Sequence, residues 1–211
     1  GIGCFPISKN KLFNKYFFFI RKFSCFLSLI SLNFLLKKII KFYINQMKNE
    51  LRKDFNIKDK VKKISARFTY KGYYNSVGFQ RKLALQKINN ISLYITGKLK
   101  LWPYLKECNQ ILGTLSPFGW GEICYRDFES SLNQNLLIKP DMDHLETWPN
   151  IFNSDSYYKL SWDLENINQL EEYINNNKAD IYSKIKNSRS LYLEALNQCS
   201  VRALDLLDQI S

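Results

Sequence analysis

From about Lys63 onward the chain alternates between short apolar runs and segments of helical periodicity, and that alternation leaves few folds open. Ile64 to Tyr70 reads as a strand and Val77 to Ile88 as a helix. Ile91 to Thr96 reads as a second strand, Trp102 to Gln110 as a second helix, Ile111 to Leu115 as a third strand and Glu122 to Leu132 as a third helix. Leu136 to Lys139 is a fourth strand and Tyr157 to Leu160 a fifth, with a helix over Ile167 to Asn175. Strands separated by helices pair in parallel, because each crossover carries the chain back to the same edge of the sheet. Right-handed crossovers then predict an α/β fold, a Rossmann-like parallel sheet covered by helices. Ala179 to Ile210 has no internal Gly or Pro and reads as one or two helices packed across that domain. The expected domain spans residues 63–211, ending in these helices.

Residues 1–62 read differently, as a basic, aromatic, helical extension or interdomain segment. Phe23 to Leu36 is an uncharged run of 14 residues between Arg21-Lys22 and Lys37-Lys38. It falls short of the ~20 residues needed to cross a membrane. A buried or interdomain helix is the first reading, and a helix lying in the membrane interface with basic flanks is the alternative. Ile39 to Leu51 continues with helical spacing, and Lys48 to Lys63 reads as an exposed link. Charge follows the same division. Residues 1–100 hold 22 Lys+Arg and 3 Asp+Glu, a balance of +19, while residues 101–211 hold 9 and 16, a balance of −7. So uneven a distribution asks for an anionic partner (phospholipid, nucleic acid or a nucleotide-sugar) or for an acidic surface on a missing segment. Solvated lysines with no partner are the plain alternative.

Five cysteines, Cys4, Cys25, Cys108, Cys124 and Cys199, are odd in number and widely spaced, and fit reduced thiols in a cytoplasmic setting. Gly1-Ile-Gly-Cys4 has the form of a lipoprotein cleavage site without the apolar region that should precede it. The first residue is Gly, as expected of a fragment or a processed product.

The richest segment is Ser116-Pro-Phe-Gly-Trp-Gly-Glu-Ile-Cys-Tyr-Arg-Asp-Phe-Glu129. A strand runs into a turn holding Gly119 and Gly121, then into a helix. Such a turn lets backbone approach a ligand and aims the free N–H groups of a helix at an anion. On a helix from Glu122, the residues Glu122, Arg126 and Glu129 share one face, as a binding surface or as two internal ion pairs. The next strand ends at Pro140 and opens into Asp141-Met-Asp-His-Leu-Glu-Thr-Trp-Pro149. Ligands of parallel α/β sheets bind beyond the C-terminal ends of the strands, so both loops are expected on one edge, sharing one crevice.

SPFGWGEICYRDFE followed by LLIKPDMDHLETWPNIF resembles the C-terminal, donor-binding half of bacterial GT-B glycosyltransferases of the glycosyl transferase family 1 type. The resemblance extends upstream to Ala66-Arg-Phe and Gly78-Phe-Gln-Arg-Lys-Leu-Ala84, and downstream to Leu160-Ser-Trp-Asp-Leu164 and the final helices. It covers roughly residues 60 to 197, about two thirds of the chain. It implies a transferase that moves a sugar from a nucleotide diphosphate sugar to a glycan or other acceptor, as in polysaccharide biosynthesis. It also implies a cytoplasmic enzyme, at the inner face of the membrane in the alternative reading, and incomplete without an N-terminal domain. Glu129 maps to the carboxylate that touches the ribose. Many GT-B enzymes carry a second carboxylate eight residues earlier, where this chain has Gly121, with Glu122 one residue later. Asn133-Gln-Asn135 stands where the family usually has a glycine.

Transfer from such a donor leaves a diphosphate that gains charge as the glycosidic bond breaks. The resemblance implies no metal and no cofactor, so Arg and Lys supply the positive charge. Arg81 and Lys82 start a helix and are phosphate candidates or surface charges. Lys139, at the end of a buried strand, needs an anion or a carboxylate to answer it. Arg67, within a strand pattern, raises the same question. His144, the only histidine, is a proton-transfer group, a phosphate donor or a structural residue. Asp141, Asp143, His144 and Glu146 match no strong metal pattern. Trp120 and Trp148 stack on a base or sugar or join the core, and Trp162 reads as core. The expected donor site is Arg81, Lys82, Ser116, Gly119, Trp120, Gly121, Glu122, Arg126, Glu129, Lys139 and His144, with no catalytic base assigned. The alternatives are a non-catalytic or truncated nucleotide-binding module and, less favoured, a basic nucleic-acid-binding protein, for which no recognised motif is present.

Overall fold

The computed structural model describes residues 29–53, 59–147 and 150–210. The chain divides into two compact units. One takes in the residues up to Arg52 and from Leu193 onward, and the other is Lys53–Tyr192. Residues 1–28, the first six residues of the run Phe23 to Leu36 among them, and Trp148 lie outside the described residues.

The unit Lys53–Tyr192 is an α/β Rossmann-like domain. Its strands are β1 (Val61–Ser65), β2 (Tyr94–Ile95), β3 (Ile111–Leu115), β4 (Leu136–Pro140) and β5 (Tyr158–Leu160), in the order β2-β1-β3-β4-β5. Every neighbouring pair is parallel, with Ser65 opposite Thr114, Thr114 opposite Leu137, and Ile138 opposite Tyr158. The intervening helices are α2 (Asn75–Lys87), α3 (Leu101–Gln110) and α4 (Tyr125–Leu132). After β5 come a short 3-10 helix (Glu165–Gln169) and α5 (Leu170–Asn176). The central strands β3 and β4 are buried along their whole length, which is why they read as near-continuous apolar runs. Ile64, Leu112, Leu136, Ile138 and Leu160 of the sheet form one core with Ala84 and Ile88 of α2 and with Ile167, Ile174, Ile181 and Ile185 near the C-terminal end of the unit.

The first strand differs most from expectation. It lies over Val61–Ser65, not Ile64 to Tyr70, because Val61 already pairs with Ile111. Past Ser65 the partner strand runs out: β2 has two residues, the turns before it holding Asn89 and Asn90 (φ 68). Phe68 N then bonds back to Ala66 O at 3.0 Å and turns the chain away, leaving Arg67 in a loop. The third helix starts at Tyr125, not Glu122, because the Asp127 carboxylate accepts the Cys124 N–H at 2.8 Å and fixes Cys124 as N-cap. Glu122 is therefore exposed in the turn and shares no helix face with Arg126 and Glu129.

In the other unit, α1 (Leu29–Arg52) buries Ile44 and Leu51. The expected link Lys48 to Lys63 is shorter than it read, since α1 runs to Arg52 and β1 starts at Val61. The last element, α6 (Lys178–Ile210), is one unbroken helix that passes from one unit into the other between Tyr192 and Leu193. Among the described residues no helix is long and apolar enough to cross a membrane.

Candidate functional site

The strand order creates a switch point. The chain leaves β1 towards β2 on one side, and leaves β3 towards β4 on the other. Loops departing in opposite directions from adjacent parallel strands leave a crevice between them. The segment Ala66–Thr69 follows β1 there, and Ser116–Cys124 follows β3.

Two guanidinium groups tie these loops together. Arg81, on α2, is 2% exposed. Its Nε donates to Phe118 O at 2.5 Å and its Nη1 to Thr69 O at 2.9 Å, so it bridges the exits of β3 and β1. The Tyr73 ring lies over it, 4.0 Å from centroid to Cζ. Arg126, in the first turn of α4, donates from Nη2 to Arg67 O at 2.7 Å, and its buried Nε has no hydrogen-bond partner. Among the described residues neither arginine bonds to a carboxylate. Burial pushes the Arg81 guanidinium below its usual range, and the positive charge of Arg126 adds to that. Two cations held by carbonyl oxygens, one with a buried unused donor, make this crevice short of negative charge.

Arg67 is not free in the same way. Its Nε and Nη2 grip both oxygens of Glu107, at 3.0 and 2.6 Å, and that bond holds its charge more firmly than usual. Lys139 is answered from inside the protein. Both Lys139 and Asp127 are fully buried, with Nζ 3.1 Å from Oδ2. Asp127 also accepts from Ser116 Oγ at 2.6 Å, so one carboxylate joins the ends of β3 and β4 to the cap of α4. Lys139 and Ser116 thus shape the turn from beneath, paired with Asp127. Gly119 is buried beside them, where a Cβ would lie 3.0 Å from Cys124 Sγ. Burial pushes the Cys124 thiol up, keeping it protonated.

The loops after β3 and β4 sit on one edge and meet. The rings of Phe118 and His144 are 6.4 Å apart, and His144 packs edge-on against Trp162 at 4.7 Å. His144 is exposed, and Trp162, expected in the core, is 55% exposed with its Nε1 donating to Asp141 O at 3.0 Å. Asp141 and Asp143 both pair with Lys159, and no group of His, Cys, Asp and Glu among the described residues is arranged to hold a metal. Trp120, 74% exposed, leans on Tyr73 and Tyr74 at 5.4 and 5.7 Å. Gly121 and Glu122 are exposed beside it, and so is Lys82 on α2, next to Arg81 in sequence but on the outward side. Glu129 faces α3, accepting the Tyr104 hydroxyl at 2.7 Å on Oε2.

Of the expected site, the fold therefore gathers Arg81, Gly119, Trp120 and Arg126 around the switch point, with Ser116 and Lys139 supporting them. Asp127, Tyr73 and Thr69 complete the arrangement and were not singled out from sequence. Asp127 had a signal, the spacing Cys-x-x-Asp of a capping box with Cys in place of Ser. A hollow lined by Ile88, Asn90, Ser92 and Thr96 lies along the connection into β2, and no cationic side chain lines it. Compared with known proteins, the chain matches no family model, no curated protein and no solved structure.

Proposed function

We propose that the unit Lys53–Tyr192 is the donor-binding half of a GT-B-type glycosyltransferase and takes a nucleotide diphosphate sugar at the switch point. One observation carries this reading: Arg81 and Arg126 converge on the crevice between β1 and β3 with no carboxylate among the described residues on either. A diphosphate supplies the missing charge. It would meet Arg126 Nε and the N-terminal turn of α4, which favours negative charge. As the glycosidic bond breaks, charge builds on the leaving diphosphate, and fixed guanidinium groups stabilise it without reorganising. The resemblance of the segment Ser116–Glu129 to the family's donor motif supports the same ligand, and assigns the ribose to Glu129.

Calorimetric titration with UDP, GDP, ADP and the matching monophosphates tests the proposal. Tighter binding of at least one diphosphate than of its monophosphate is expected, weakening as salt is raised. Equal affinity for monophosphate and diphosphate, or no binding of either, overturns it.

A further inference from the structure

We propose that the exposed face of α1 docks on an anionic lipid bilayer, an interaction independent of the nucleotide site. Phe34 is 61% exposed, Leu35 39% and Phe42 53%. Lys38, Lys41 and Arg52 are exposed too. At 100° per residue these six positions fall within an arc of about 120°, while the buried Ile44 and Leu51 lie off it. The Lys38 ammonium sits 4.3 Å from the Phe34 ring centre, so cation and aromatic ring share one surface. The helix as a whole carries five basic residues and one acidic.

The mixture selects the occupant. A nucleic acid would use the lysines but has no use for three exposed apolar side chains. A protein interface places apolar residues in a core depleted of lysine and puts charge at the rim. Here lysines and rings interleave, which suits a headgroup layer. Rings sink to the boundary of the acyl chains, and lysine stems lie along the apolar surface with their ammonium groups among lipid phosphates. The charge requires those lipids to be anionic. The length and lysine content of α1 fit a helix lying on the surface, in keeping with the lack of any membrane-crossing helix among the described residues.

Co-sedimentation of the full chain with vesicles tests this. Phosphatidylcholine vesicles are compared with vesicles of phosphatidylcholine and phosphatidylglycerol. Residues 1–28 add further basic and aromatic residues, so variants of α1 carry the decision. All four target side chains are exposed, and circular dichroism checks that the helix survives. The wild type is expected on the anionic vesicles only. The double variant Phe34→Ala/Phe42→Ala is expected to bind about tenfold more weakly. Lys38→Gln/Lys41→Gln is expected to bind roughly tenfold more weakly or worse, with the remainder less sensitive to salt. Unchanged vesicle binding in either double variant overturns the proposal, as does equal binding to neutral vesicles. Retention on duplex RNA with no vesicle binding overturns it in favour of a nucleic acid.

Discussion

Lys139 and Asp127 form an ion pair, Nζ to Oδ2 3.1 Å, from which solvent is wholly excluded. The pair links the end of β4 to the first turn of α4, and through Ser116 Oγ to the end of β3. Taking both charges out of water is costly, and breaking such a pair costs more than removing it. Asp127→Asn strands Lys139 as a buried cation and is expected to destabilise the domain by about 3–5 kcal/mol. Asp127→Asn/Lys139→Met removes the stranded charge and should recover about half of that. Denaturant melts of the three proteins check it. A double variant no more stable than the single one would mean that Asp127 matters through Ser116 and Cys124 alone.

That network shows what the sequence could and could not tell. Lys139 at the end of an apolar run announces a desolvated cation, so its need for an anion is readable. Whether the anion is a ligand or Asp127 depends on which side chains the crossover from β3 to β4 brings together, and no local pattern states that. The parallel sheet was readable because β3 and β4 are buried on both faces and flanked by helical periods. The exit of β1 was not, because where a strand stops depends on the length of its neighbour, here the two residues of β2. Arg126 could be placed on α4, but its attachment to Arg67 O spans two loops far apart in sequence.

Arg126→Gln is expected to weaken nucleoside diphosphate binding about tenfold or more, the value of a charge-assisted hydrogen bond. Stability should change little, since the substitution also removes a buried unpaired Nε–H. Calorimetry and a thermal melt on the same preparation separate the two effects. A large loss of stability with unchanged affinity would make Arg126 a strut between loops.

Gly78, in the first turn of α2, has no room for a side chain: a Cβ there would lie 2.7 Å from the backbone oxygen of Tyr73. Ala is the better helix former by about 1 kcal/mol. Forcing apart two backbone segments costs about 1–3 kcal/mol, so the clash should prevail. Gly78→Ala is expected to lower the unfolding midpoint and, by shifting Tyr73 off Arg81, to disturb the switch point. A variant more stable than the wild type would show that the turn before α2 yields freely.

Lys60 gathers the far end of the sheet. Its Nζ donates to Ile111 O at 3.1 Å, Asn133 O at 2.7 Å and Asn135 Oδ1 at 2.6 Å. Burial pulls its pKa from 10.5 down to about 8. Between those two values the unfolded chain holds a proton that the folded chain has released, so this group makes stability rise with pH. Below about pH 8 both states are protonated and the cost of burying the charge is fully present. The stability of the wild type relative to Lys60→Met is therefore expected to rise from pH 8 to 10.5. Urea melts across that range check it, and a constant gap would mean that the amine titrates normally.

Glu129 is held by the Tyr104 hydroxyl, and burial followed by the carboxylate's charge pushes the Tyr104 pKa up, so the hydroxyl remains a donor. The carboxylate is therefore oriented before any ligand arrives, which suits a ribose acceptor as well as it suits a plain helix-to-helix contact. Glu129→Gln separates the two roles. The glutamine oxygen still accepts from Tyr104, so the contact between α3 and α4 survives and stability should fall by no more than about 1 kcal/mol. A ribose hydroxyl loses its charged acceptor, and nucleoside diphosphate affinity should fall about tenfold. Tyr104→Phe supplies the complementary result. It leaves the charge in place but releases its orientation, so it should weaken binding by less than Glu129→Gln does. Calorimetry on both variants, with a melt to confirm folding, decides between the roles. Unchanged affinity in Glu129→Gln would leave the residue as the partner of Tyr104 alone and remove the ribose from it.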